Sequence, residues 1–208
     1  MSIRARYLAA GLGCLLVAAQ AAATIVGLNQ IVTPDLQTAG LLGLSCQVEH
    51  AALGNSQQLQ AELGLSRWLE VAWFQGLTPG EGLFSTEVGL VQSGPHLLSV
   101  GALNWSTRGG EPQPMVEYGW YDDRNHLVGG AIHANREAEA LLGYRRNLSE
   151  KWQIAVDYQS GKSNSTTIGF TYQITPELCV NPALYRTNGR PHHLLGYVVA
   201  TWNLTLWK

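Results

Sequence analysis

Between Tyr144 and Tyr172 the chain reads YRRNLSEKWQIAVDYQSGKSNSTTIGFTY. In steps of two from Trp152 it sorts into Trp152, Ile154, Val156 and Tyr158 on one side and Gln153, Ala155, Asp157 and Gln159 on the other. A period of two belongs to a strand whose two faces meet different surroundings. After Ser160-Gly161-Lys162-Ser163-Asn164 the alternation resumes, with Thr166, Ile168, Phe170 and Tyr172 opposing Thr167, Gly169, Thr171 and Gln173, so the stretch predicts a β-hairpin. The same two faces recur along the chain, and almost nothing is left over that could form a helix to cover the apolar side. Lipid is the remaining cover. A closed antiparallel sheet with apolar residues outward and polar residues inward satisfies every backbone N–H and C=O within hydrocarbon. The expected fold is an all-β, up-and-down transmembrane barrel.

Composition agrees with a barrel wall. Charged residues make up 13% of the chain, against roughly 25% in an average soluble protein, and there are 23 Gly and 7 Trp. A net charge of -2 with no basic run excludes a general nucleic-acid partner. Cys14, Cys46 and Cys179 are too few for a disulfide framework, and Cys46 and Cys179 are expected on opposite faces and unbridged. Residues 1–23 carry Arg4 and Arg6, an apolar run and then small residues, the pattern of a secretory signal peptide cleaved after Ala21 or Ala23. Its loss takes Lys+Arg from 13 to 11 against 15 Asp+Glu.

Residues 24–40 contain Pro34 and no sustained alternation, and are expected to be a periplasmic lead-in segment to a barrel over 41–208. The cleanest alternations follow: Leu42, Leu44, Cys46 and Val48 oppose Ser45, Gln47 and Glu49, and Leu59, Ala61, Leu63 and Leu65 oppose Gln58, Gln60, Glu62 and Gly64. Turn signals near Arg67, Gly94, Asp123, Ser149 and Pro176 recur at roughly 26–29 residues, the span of one hairpin of ten-residue strands. Connections for the opposite end fall at 51–55, 77–82, 106–111, 135–137, 160–164 and 187–191. That makes about twelve strands, with ten or fourteen also compatible. The segments His96 to Ser106, His126 to Ala134 and His193 to Trp207 fit either parity.

The turn-and-strand run NLSEKWQIAVDYQSG and the stretch IVTPDLQTAGLLGLS, where lead-in meets first strand, resemble bacterial outer-membrane β-barrel proteins of the small porin and transporter-like kind. The resemblance covers most of the chain from about Ile31 as a repeated pattern. It implies an outer-membrane location, lipid around the wall and delivery by the barrel insertion machinery, with the aromatic near the chain end at Trp207 rather than at the last residue. It implies neither a substrate nor a catalytic residue.

With polar residues inward, the lumen receives Glu62, Glu70, Glu87, Glu117, Glu139 and Asp157, opposed by Arg145 and by His133 if its parity allows. Carboxylates in a confined aqueous space favour cations, whereas the same acids paired with Arg145, tyrosines and glutamines would plug the interior. Trp105, Trp120, Tyr144, Trp152, Tyr158, Tyr172 and Trp207 fall near expected strand ends, where interfacial belts place aromatics. His192 and His193 are adjacent and cannot both ligate one metal from a strand; no metal, cofactor or catalytic centre is expected. The expected function is a non-enzymatic narrow passive pore or transporter component with an acid-leaning lumen, passing small solutes or cations. Two alternatives remain: a plugged structural or assembly barrel, and a secreted soluble calycin-like barrel with its apolar face inward.

Overall fold

A computed structural model describes residues 27–53, 55–77, 80–134 and 136–208; the leader expected at 1–23 lies outside them. Strands β1 (Leu41–Glu49), β2 (Gln57–Ser66), β3 (Leu69–Leu77), β4 (Gly80–Ser93), β5 (His96–Ser106), β6 (Gln113–Tyr121), β7 (Asn125–Ala134), β8 (Glu137–Asn147), β9 (Trp152–Gln159), β10 (Ser165–Gln173), β11 (Leu178–Thr187) and β12 (Leu194–Thr205) follow in order. Each pairs antiparallel with its sequence neighbours, and β1 pairs with β12 from Leu41↔Thr205 to Glu49↔Tyr197, closing a barrel of twelve strands. Closure leaves no unpaired sheet edge.

The base of the barrel is the end where β1 begins and β12 finishes; it carries the short turns near Arg67, Gly94, Asp123, Ser149 and Pro176. The other end, the rim, carries the remaining connections, of which β1–β2, with one 3₁₀ turn at Ala51–Leu53, β5–β6 and β11–β12 are the longest. The outer face is apolar: Leu142, Ile154, Val156, Ile168, Phe170 and Leu184 are all exposed, while Ala155, Asp157, Thr167 and Thr171 between them are buried. A soluble barrel with apolar residues inward requires the reverse, so the calycin-like alternative is overturned. Cys46 lies on the outer face and Cys179 is buried on the inner face, so they are not bridged to each other.

Two irregularities account for the strand that fits either parity at His96 to Ser106. The β4–β5 register shifts between Phe84 and Thr86 and again between Gly89 and Val91. Opposite the first shift, Asn104 adopts a left-handed backbone (φ 57°), a conformation that Asn tolerates, and its N–H donates to Ser85 Oγ at 3.0 Å. In β7 the cause is different. Val128 and Ile132 point inward and are 5% and 4% exposed, so both faces of that strand are apolar.

What these inward apolar residues meet is the segment read from sequence as a periplasmic lead-in. Its described part, Gly27–Gly40, runs inside the barrel, with Leu28, Asn29, Ile31, Thr33 and Gln37 each under 9% exposed. Gly40 turns the chain inward with φ 80°, and its N–H donates to Gly64 O at 2.8 Å, while Ala39 bridges Gly64 in parallel. The chain end covers this corner, since Leu206 N–H donates to Gly40 O at 2.7 Å.

Candidate functional site

The inner face is chemically divided. From β6 to β9, Met115, Val128, Ile132, Leu141 and Ala155 pack with Leu28 and Ile31 of the inserted segment into one buried apolar cluster. Leu28 and Ile31 would otherwise sit in lumen water, so burying them against this wall favours the inserted position.

Polar groups fix the segment at three heights. Highest is Asn29. Its backbone N–H donates to Asp157 Oδ2 at 2.7 Å, its amide nitrogen donates to Ala155 O and Thr167 Oγ1 at 3.1 Å each, and its carbonyl accepts from Tyr185 O–H at 2.7 Å. Below it, Asp35 accepts from Thr33 O–H, from Tyr121 O–H at 3.1 Å and from Arg145 Nη2 at 3.2 Å, and Arg145 Nη2 also lies 2.5 Å from His126 Nδ1. Nearest the base, Gln37 N–H donates to Glu70 Oε2 at 2.5 Å. A charge-assisted bond to a buried partner is among the stronger of such contacts.

Wall glycines open the track. A Cβ at Gly169 would stand 2.2 Å from Asn29 Oδ1, one at Gly143 2.2 Å from Leu28 Cδ1, and one at Gly64 2.3 Å from both Gln37 O and Thr38 O. The segment therefore occupies space that any larger inward residue would fill.

Beside residues 27–32 a cavity of about 440 Å³ remains, walled by the inner faces of β1 to β5, β11 and β12 and by residues near the rim such as Gln113, Gln159 and Asn164. Its surface mixes amide, hydroxyl and carboxylate groups, including Glu49, Glu62, Glu70 and Glu87, with apolar side chains such as Phe74, Leu83 and Leu103, and no Lys or Arg among the described residues lines it. At its mouth a short relay runs from Gln60 Nε2 to Gln47 Oε1 and from Gln47 Nε2 to Glu49 Oε2, each at 2.8 Å.

The residues singled out in the sequence thus divide. Glu62, Glu70 and Glu87 line the cavity. Glu117, Glu139, Arg145 and Asp157 are buried on the inner face outside that lining. Glu139 accepts from Gln159 Nε2 at 2.7 Å and Asn164 Nδ2 at 2.8 Å, whereas both carboxyl oxygens of Glu117 have no hydrogen-bond partner. His133 is exposed on the outer face; the inward histidine of β7 is His126. Trp120, Tyr144, Trp152, Tyr172 and Trp207 lie toward the base and Trp105 and Tyr158 toward the rim. His192 and His193 are exposed beside the rim, and among the described residues no three His, Cys, Asp or Glu side chains are placed to hold a metal ion.

Sequence reasoning missed Asn29, Asp35, Gln37 and Tyr185, and put Glu49 on the polar face of the first strand without counting it among the lumen acids. The available signal was the breach of polar-inward alternation by Val128, Ile132 and Leu141, which called for an apolar partner within the lumen.

Comparison of the whole structure with solved ones places this architecture. The KdgM porin, solved in complex with disordered oligogalacturonate, is similar over 78% of this chain and 98% of its own, with a TM-score of 0.58 at 6% identity. A second KdgM porin structure gives 0.56 at 7% identity over the same shares. The fold is that of a small outer-membrane porin. The NanC porin in a rhombohedral crystal form matches 77% of this chain and 97% of its own, at a TM-score of 0.49 and 10% identity. No protein-family model and no curated protein matches the sequence.

Proposed function

We propose that this chain is a bacterial outer-membrane barrel acting as a narrow passive pore for small hydrophilic solutes, with Gly27–Gly40 narrowing the lumen from the base and the carboxylate-lined cavity forming its mouth. The observation that carries this reading is a cavity of about 440 Å³, lined in part by carboxylates, amides and hydroxyls, inside a wall whose outer face is apolar. Apolar residues outward and polar groups inward are what a water path through hydrocarbon requires. With both ends of the barrel at the base, the base faces the periplasm and the rim the exterior. An acid-leaning mouth favours cations over anions, and no catalytic role is proposed.

A second reading, the plugged structural barrel, is favoured by the apolar cluster joining Leu28 and Ile31 to the wall. Planar-bilayer recording of the full chain separates the two. The pore reading expects small cation-preferring currents from wild type, a several-fold rise in Arg145→Gln, which removes the charge holding Asp35, and weaker cation preference in Glu62→Gln. Silence from both wild type and Arg145→Gln leaves the plugged barrel.

A further inference from the structure

Glu70 and Glu87 are direct cross-strand partners on β3 and β4, and both point into the same cavity. Like charges directly opposite are destabilising. Among the described residues no Lys or Arg lines the cavity, and Arg145, outside that lining, is 3.2 Å from Asp35. Glu62 joins them from β2, where it pairs with Ala72, two residues along β3 from Glu70.

A separate observation concerns Glu87 itself. It is 4% exposed and lines the cavity; Ser99 is the side-chain hydrogen-bonding neighbour of the carboxylate, and its Oε1 has no partner, so a buried acceptor in the wall is left only partly satisfied. Arrangements that break local rules at the expense of stability concentrate at functional sites.

We propose that this cavity is a binding site for a small organic polycation, a molecule with two or more ammonium groups on a short aliphatic or sugar frame. One ammonium is held on the wall between the cross-strand pair Glu70 and Glu87, with Glu62 adding negative charge nearby, and another reaches Glu49 at the mouth. A compact metal ion does not fit, because no three of these groups converge at ligating distance. A volume of about 440 Å³ is within the range of small-molecule sites, and Phe74 and Leu83 supply apolar surface for the methylene frame. The site deepens the pore reading by naming its solute class, and it rests on that reading only for how the ligand arrives.

Isothermal titration of the full chain, folded in zwitterionic detergent, tests the site without any current being measured. Spermidine is expected to bind saturably with one site per barrel, while trigalacturonate and raffinose give no heat. Glu87→Gln and Glu62→Gln should each weaken spermidine at least about tenfold, the change expected when one partner of a charge-assisted contact is lost. Glu150→Gln, on an exposed turn at the base, should leave it unchanged. Equal affinity in both cavity variants, stoichiometry well above one, or trigalacturonate binding as tightly as spermidine overturns the proposal. A barrel that binds spermidine but passes no current removes the pore and keeps the site; one that conducts but does not bind removes the site alone.

Discussion

Glu117 shows how much the inner face gives up for its chemistry. It is fully buried on β6 with neither carboxyl oxygen bonded, and it does not line the cavity, so no ligand offsets its burial. A buried polar group left without a partner costs about 1–3 kcal/mol, a cost that an apolar group of similar volume does not carry. Glu117→Met is therefore expected to leave urea unfolding in lipid vesicles unchanged or move its midpoint upward. A large loss of stability would mean that the carboxyl has a partner after all. Asp122, in the β6–β7 turn, is the opposite case. Hydrogen bonds from the Asn125 side chain, then from the backbone N–H groups of Arg124 and Asn125, hold its carboxyl below the usual range. A depressed folded pKa contributes stability above the unfolded value, and that contribution is lost as pH falls through the folded one. Asp122→Ala should then unfold more easily than wild type at neutral pH. The two denaturation curves should converge once the pH is below the depressed pKa, and a difference that persists there would contradict this origin.

The inserted segment depends on the elements around it as much as on its own residues. At Gly64 on β2 an added Cβ meets backbone, with Gln37 O and Thr38 O at 2.3 Å and Thr38 C at 2.6 Å, so relief requires the segment itself to move. Gly64→Ala should loosen Gly27–Gly40 while the wall pairing stays intact. The expected readout is faster labelling of a cysteine placed at Asn29 by a water-soluble reagent, with unchanged heat-modifiable migration on a gel; unchanged labelling would mean that the segment does not depend on this close approach. The same contrast explains what could be read in the sequence. The hairpin Trp152–Tyr172, the turn spacing and the twelve strands were legible because each outward row meets the same solvent, lipid, and so repeats with period two. The parities of β5 and β7 were not. A bulge at Asn104 breaks the period in β5, and the inner row of β7 faces Leu28 and Ile31 rather than water. The fate of residues 27–40 was illegible locally, since its mixture of Leu28, Asn29, Ile31, Thr33 and Asp35 has no face of its own and acquires meaning only against a wall built from residues far along the chain, such as Tyr121, 86 positions from Asp35, and Tyr185, 156 from Asn29. The sequence pattern offered no way to tell the carboxylates apart: Glu70 both lines the cavity and accepts from Gln37, whereas Asp157 anchors the segment outside that lining.

For the whole molecule, the decisive question is what solvates the outer wall. Ile168 is near the middle of β10, pairs with Val156 and Leu184 on either side, and is 50% exposed. In water such a position would accept a charge with little consequence, because surface substitutions away from special features change stability by about 0.5 kcal/mol or less. In hydrocarbon the same change is expensive: Arg on the lipid face of a barrel near the midplane costs about 2–4 kcal/mol, falling toward zero at the interfaces. Ile168→Arg therefore distinguishes the two solvents. Reversible denaturant unfolding from lipid vesicles is expected to show a loss within that range, and Thr205→Arg at the base a much smaller one. Equal and negligible losses at both positions would mean that the apolar rows do not face acyl chains. The lumen could then no longer be read as the water path, because the inward placement of carboxylates has a transport meaning only if the outward rows exclude water.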